Sequence, residues 1–212
     1  MTPQTEESFR ADQLRVSVYQ SSRQMALAAA AAVTAEVRRL IAERGRAVGL
    51  FASGPNREAQ SEFLDCLVET AGIEWTRVIG FQLEEYVGLD EDAPQSFRRL
   101  LLDRLVRRVP MAEFHAIRGE AANPAAVCEN YAALLRTRPP DFAVLGIGED
   151  GRLGAVGLPL NDSSNLNSVR VVELDDACRQ RQVRDGVFAS LETVPRRAIS
   201  FPLPVVLAYP RL

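Results

Sequence analysis

Apolar and polar residues follow one another in blocks along this chain, and the period of each block decides which element it predicts. Residues 14–19 (LRVSVY) switch sides at nearly every position, the period-two signature of a strand with one buried face. From Ser21 or Ser22 the period lengthens. Leu27, Val33, Val37, Leu40 and Ile41 recur at helical spacing, with a serine to cap the start and Gly45 to stop the end. Residues 47–52 (AVGLFA) form an apolar run short enough for a strand buried on both faces. The turn Ser53-Gly54-Pro55 then leads into a helix that sets Phe63, Leu64, Leu67, Val68 and Ala71 on one face before Gly72.

The alternation continues to the end of the chain. Residues 77–81 predict a strand that runs into Glu84-Glu85-Tyr86-Val87-Gly88 and a loop. A helix over 96–107, an extended piece at 113–117, a helix over 124–135 and a strand at 141–145 follow. Another strand is expected at 169–174, with a helix after Asp175. The last apolar run, 197–208, is broken by Pro202 and Pro204, whose missing N–H groups exclude a regular central strand. Strands alternating with helices of this length imply right-handed βαβ units. The expected fold is α/β, a three-layer, doubly wound, mostly parallel sheet with helices on both faces. No composition break or internal repeat divides the chain, so a single domain over 1–212 is expected.

Composition narrows the chemistry. The net charge of −3 gives no reason to expect a nucleic acid or an anionic membrane as partner. All 25 basic residues are arginines, which removes Schiff-base chemistry and leaves guanidinium and backbone N–H groups to hold an anion. Cys66, Cys128 and Cys178 are widely spaced and form no CxxC pair, so they point to a reducing cytoplasm and buried thiols rather than to disulfides or a metal centre. The polar, acidic start is no signal peptide, and the alanine-rich stretch 25–33 is too short to span a bilayer.

The most informative segment is 143–159, AVLGIGEDGRLGAVGLP. A buried strand ending in a glycine-rich turn that carries acids is how open α/β sheets present chemistry at the carboxyl ends of their strands. Asp150 there is either a site acid or a turn-former that accepts backbone N–H groups.

This segment resembles the LGIGxDGHIGFNEP turn of glucosamine-6-phosphate deaminases, relatives of the 6-phosphogluconolactonases. Residues 81–97, FQLEEYVGLDEDAPQSF, are similar to that family's FxMDEYxGLxxxHPxSY. Residues 114–131 and 169–199 resemble two further segments in the same order, the latter containing Val194-Pro195. The family usually continues through another strand and helix beyond the region where this sequence stops.

The family reaction opens a hexosamine 6-phosphate ring, moves a proton between C2 and C1, and releases ammonia to give fructose 6-phosphate. The resemblance places Glu84 where the family has its proton-carrying aspartate, with Glu85 and Tyr86 matching directly. Asp150 falls on the acid that supports the ring-opening histidine. That histidine is replaced by Arg152, which stays protonated and cannot shuttle a proton. Gly157 stands where the second supporting carboxylate would be, and His115, the only histidine, aligns elsewhere as a structural side chain. Ser53, Gly54 and Asn56 occupy the phosphate loop, which a plain helix N-terminus would also explain, and Pro55 removes a donor. Gly148 belongs to the turn that lines the same site. Arg184 takes the place of the family's phosphate-binding arginine, or else merely solvates a helix face.

The resemblance therefore implies a sugar phosphate as small-molecule partner, no cofactor and no metal, and leaves a homo-oligomer open. Three functions follow: a deaminase or isomerase with impaired or altered catalysis, a non-catalytic sugar-phosphate binder, and, last, a lactone hydrolase.

Overall fold

A computed structural model describes residues 5–52, 57–148, 151, 153–154 and 169–210. The chain runs β1 (Thr5–Ala11), β2 (Leu14–Tyr19), α1 (Ser22–Arg44), β3 (Ala47–Phe51), α2 (Arg57–Glu69), β4 (Val78–Gln82) and β5 (Glu85–Tyr86). It continues through α3 (Phe97–Arg104), β6 (Glu113–His115), α4 (Pro124–Thr137), β7 (Phe142–Val144), β8 (Arg170–Glu173), α5 (Asp176–Arg184), β9 (Arg197–Ser200) and α6 (Leu203–Leu207).

The helix ends follow local chemistry. Ser21 accepts the Gln24 N–H and opens α1, while Gly45 closes it in the left-handed conformation, its N–H bonding back to the Ile41 carbonyl. Ser96, Asn123 and Asp175 cap α3, α4 and α5 in the same way.

The central sheet has strand order β6-β4-β3-β7, all parallel. Alternate residues feed two layers. Val48, Leu50, Ala52, Ile79, Phe81 and Leu83 pack on one face against Cys128, Tyr131 and Ala132 of α4 and against Phe201 and Val206. Ala47, Phe51, Val78 and Phe142 face the other way, onto α1, α2 and α3. Each fully buried leucine or phenylalanine in these layers contributes about 1.5–3 kcal/mol. Helices thus cover both faces, as the sequence pattern predicts.

Two features differ from the sequence expectation. The LRVSVY strand keeps its predicted bounds, yet it pairs only with β1, in an antiparallel ribbon whose residues are mostly exposed. The polar start carries no strand pattern of its own. It forms a strand because backbone pairing across the Asp12-Gln13 turn, with Asp12 at φ 54°, requires no apolar face. In addition, β5, β9 and β8 build a separate three-stranded antiparallel sheet. Its strand β9 stops at Ser200, just before Pro202 and Pro204, which start α6. A third apolar cluster of Tyr86, Phe97, Leu174, Cys178, Phe188, Val194 and Ala198 packs against this sheet.

Candidate functional site

Beyond Gln82 the chain leaves the parallel sheet and, within three residues, enters the antiparallel one. The Gln82 side chain fixes that crossing. Its amide nitrogen donates to the Glu84 carbonyl at 2.7 Å and to Glu85 Oε2 at 3.1 Å, while its oxygen accepts the Ile117 N–H at 2.9 Å. Below it, the Tyr131 hydroxyl accepts the Gln82 N–H at 2.8 Å and lies 2.9 Å from the His115 carbonyl.

Successive side chains then point into different surroundings. Glu85 turns inward to the start of α3. Its Oε1 accepts the N–H groups of Tyr86 (2.9 Å) and Phe97 (3.2 Å). Its Oε2 accepts the Arg98 N–H (2.7 Å), the Ser96 hydroxyl (3.0 Å) and the Gln82 amide. Five donors meet about four lone-pair sites, and the carboxylate stands where the orphan N–H groups and the helix dipole favour negative charge. Burial nevertheless pushes its pKa above the usual carboxylate value, although these hydrogen bonds pull the other way. Gly119 closes the cage: a Cβ there would lie 2.0 Å from the Tyr86 carbonyl oxygen and 2.9 Å from Glu85 Cγ. This geometry makes Glu85 a helix cap whose lone pairs the protein itself fills.

Glu84 lies at the carboxyl end of the sheet, completely buried. Beyond β7, the Gly151 N–H bonds to the Gly148 carbonyl and the Gly154 N–H to the Gly146 carbonyl, both at 2.9 Å, while Ile147 bridges Leu153. This turn folds Gly154 back onto Glu84. A Cβ on Gly154 would lie 2.9 Å from Glu84 Oε2 and 3.3 Å from Oε1. The ends of β4 and β7 therefore converge at the Glu84 carboxylate.

Two further polar groups lie nearby. The Tyr86 hydroxyl is buried without a hydrogen-bond partner among the described residues, and its ring stacks on Phe97 at 4.6 Å. Burial holds this phenol well above its usual pKa, so it stays protonated. Arg57, the first residue of α2, donates to the Gln95 and Pro94 carbonyls at 3.0 and 2.9 Å. Burial lowers its pKa from the usual arginine value, and the nearby Glu85 carboxyl opposes that effect.

The structure thus brings Glu84 together with the turn that contains Gly148. Arg184 ends α5 with 67% of its side chain exposed and its guanidinium 3.6 Å from Asp185. Its neighbour Arg179 is buried and holds the Leu191 and Val194 carbonyls, so it serves the fold. Ser53, Gly54, Asn56, Asp150 and Arg152 lie outside the described residues. Just before the first three, the Ala52 N–H donates to the Val144 carbonyl and the Ala52 carbonyl accepts the Gln60 side chain. His115 stacks on Phe81 at 4.6 Å and lies 3.2 Å from Glu113. A cavity of about 410 Å³ lined by Leu135, Val169, Phe201 and Tyr209 also includes Asp141, at the opposite, amino end of the strands. Among the described residues, no group of three potential metal ligands occurs and no helix is long and apolar enough to cross a membrane.

Sequence reasoning assigned no role to Gln82, Gly119, Gly154 or Arg57. Only Gly154 carried a signal, as a glycine in a turn after a buried strand.

Comparison with known proteins gives a consistent picture. The family model described as glucosamine-6-phosphate isomerases/6-phosphogluconolactonase matches residues 20–155. A glucosamine-6-phosphate deaminase of Streptococcus pneumoniae is 34% identical over 148 residues, 69% of this chain and 60% of that protein. The chain therefore matches less than two thirds of the length of this relative. In three dimensions, a monomeric glucosamine-6-phosphate deaminase superposes with a TM-score of 0.71 at 24% identity, over 89% of this chain and 76% of the other. A 6-phosphogluconolactonase from Shewanella baltica OS155 does so with a TM-score of 0.67 at 18% identity, over 89% and 75%.

Proposed function

Because the chain belongs to the family of glucosamine-6-phosphate isomerases and 6-phosphogluconolactonases, we propose that it binds a hexosamine 6-phosphate and transfers a proton between C2 and C1 through Glu84, with ring opening impaired. The observation that carries this reading is the buried Glu84 carboxylate at the junction of two strand ends, against Gly154.

Each step asks something different of the residues. A carboxylate can take the C2 proton of the open-chain aldehyde and return it to C1, moving the double bond to C2, where the imine is hydrolysed and ammonia leaves. Ring opening must come first. It requires a group that gives a proton to the ring oxygen and takes one from the C1 hydroxyl, and Arg152 cannot do this because guanidinium keeps its proton. Turnover then draws on the small fraction of substrate that opens unaided. A second reading, a non-catalytic sugar-phosphate binder, draws support from Arg152 and Gly157, which stand where the family has its ring-opening histidine and that histidine's second supporting carboxylate.

The test uses glucosamine 6-phosphate in deuterated water. We expect binding at millimolar concentration and slow loss of the C2–H signal that depends on the protein. Ammonia should appear far below the roughly 10 s⁻¹ of a median enzyme. Ammonia release at that ordinary rate would overturn the impairment. Binding without any exchange would select the non-catalytic reading.

A further inference from the structure

We infer that Glu84 and Gly154 form a sterically matched pair, in which the missing side chain at 154 is what lets a glutamate hold its carboxylate where the ends of β4 and β7 meet. Gly154 is a positioning residue, acting on the reaction through Glu84. The inference draws its functional meaning from the reading of Glu84 as proton carrier, while its geometry stands independently.

Three observations fix the geometry. A Cβ at 154 would approach Oε2 to 2.9 Å, Oε1 to 3.3 Å and the carboxyl carbon to 3.4 Å, so it would press on the whole head group. The Gly154 backbone cannot simply retreat, because its N–H is bonded to the Gly146 carbonyl and the adjacent Leu153 is bridged to Ile147. Glu84 cannot swing into solvent either, since it is completely buried. An added methyl group must therefore displace the carboxylate itself.

Shortening the acid removes the conflict. An aspartate at 84 withdraws the carboxylate by up to one carbon–carbon bond, roughly 1.5 Å, which turns the closest approach into an ordinary contact. Gly154 has a second reason to be glycine, its φ of +74°, which any side chain would strain. That strain is the same whatever residue occupies position 84. A double-mutant cycle cancels it and isolates the contact with the carboxylate.

The experiment compares the wild type, Gly154→Ala, Glu84→Asp and the double variant, with Glu84→Gln as a third background. Glutamine has the shape of glutamate without its charge, so Gly154→Ala should cost as much there as in the wild type. We expect Gly154→Ala to shift the unfolding equilibrium in urea about tenfold further in the glutamate and glutamine backgrounds than with Glu84→Asp. If Gly154→Ala alone does not fold, recovery of folding in the double variant with Glu84→Asp gives the same answer. In deuterated water, Gly154→Ala should slow exchange of the glucosamine 6-phosphate C2 proton by about a hundredfold while its affinity stays within a few fold. Adding Glu84→Asp should restore part of the exchange. Equal unfolding costs in all three backgrounds would overturn the pairing. Coupling in urea without any exchange by the wild type would support the pairing and remove the reading of Glu84 as proton carrier.

Discussion

Glu84 and Glu85 are adjacent, equally buried and chemically identical, yet the structure gives them opposite surroundings. Glu85 faces a cage of five donors at the start of α3, all set by the fold itself. Glu84 faces the turn beyond β7, where a glycine leaves space beside its oxygens. Burial alone therefore says little about the role of an acid. An acid that caps a helix belongs to the scaffold, whereas the other is set by the turn it faces at the strand ends.

The cage side should give the largest effects. Glu85→Ala strands several buried donors, and we expect it to lower unfolding stability by about 3–5 kcal/mol, read from urea denaturation. Gly119→Ala drives a methyl group into the Tyr86 carbonyl, and a loss of about 3 kcal/mol or more is expected, because the obstacle is backbone that cannot turn aside. Glu84→Gln tests the other side. It should perturb stability less than Glu85→Gln, yet slow exchange of the substrate C2 proton at least about a hundredfold.

The comparison can be sharpened with pH. Burial raises the Glu85 pKa in the folded state. Stability linked to Glu85 is then fully present below its unfolded value of about 4.3 and is lost as pH rises through the folded value. In urea titrations the advantage of the wild type over Glu85→Gln should accordingly shrink as pH climbs above 4. Glu113 behaves in reverse. Its hydrogen bond from Arg138 lowers its pKa, so its contribution is present above the unfolded value and fades as pH falls through the folded one. The smallest effect belongs to Arg184→Ala. On an exposed helix end with one exposed ion pair, it should change stability by less than about 1 kcal/mol, read from urea denaturation.

The helices and strands were legible because their signals are local. The Ser21 cap, the Gly45 stop and the alternating LRVSVY run are each decided within a few residues. The partner of that run was not legible, since period-two alternation marks a strand without saying which strand pairs with it. The second sheet was hidden for the same reason, because β5 has only two residues and gains its identity from Ile199 and Ala198, more than a hundred positions away. The role of Glu85 is also non-local, as its cage draws on residues 96–98. Glu84 was legible through the resemblance of residues 81–97, while its dependence on Gly154 required the fold.

The three thiols acquire a use from their placement. Cys128, Cys66 and Cys178 each sit in a different apolar cluster, and all are buried and outside any disulfide. Burial also raises the Cys66 thiol above its usual pKa and Cys128 to about 11, so native thiolate is scarce and alkylation must await local opening. Each layer thus carries its own chemical clock, and the order in which the sulfurs become labelled reports whether the layers open together or one by one.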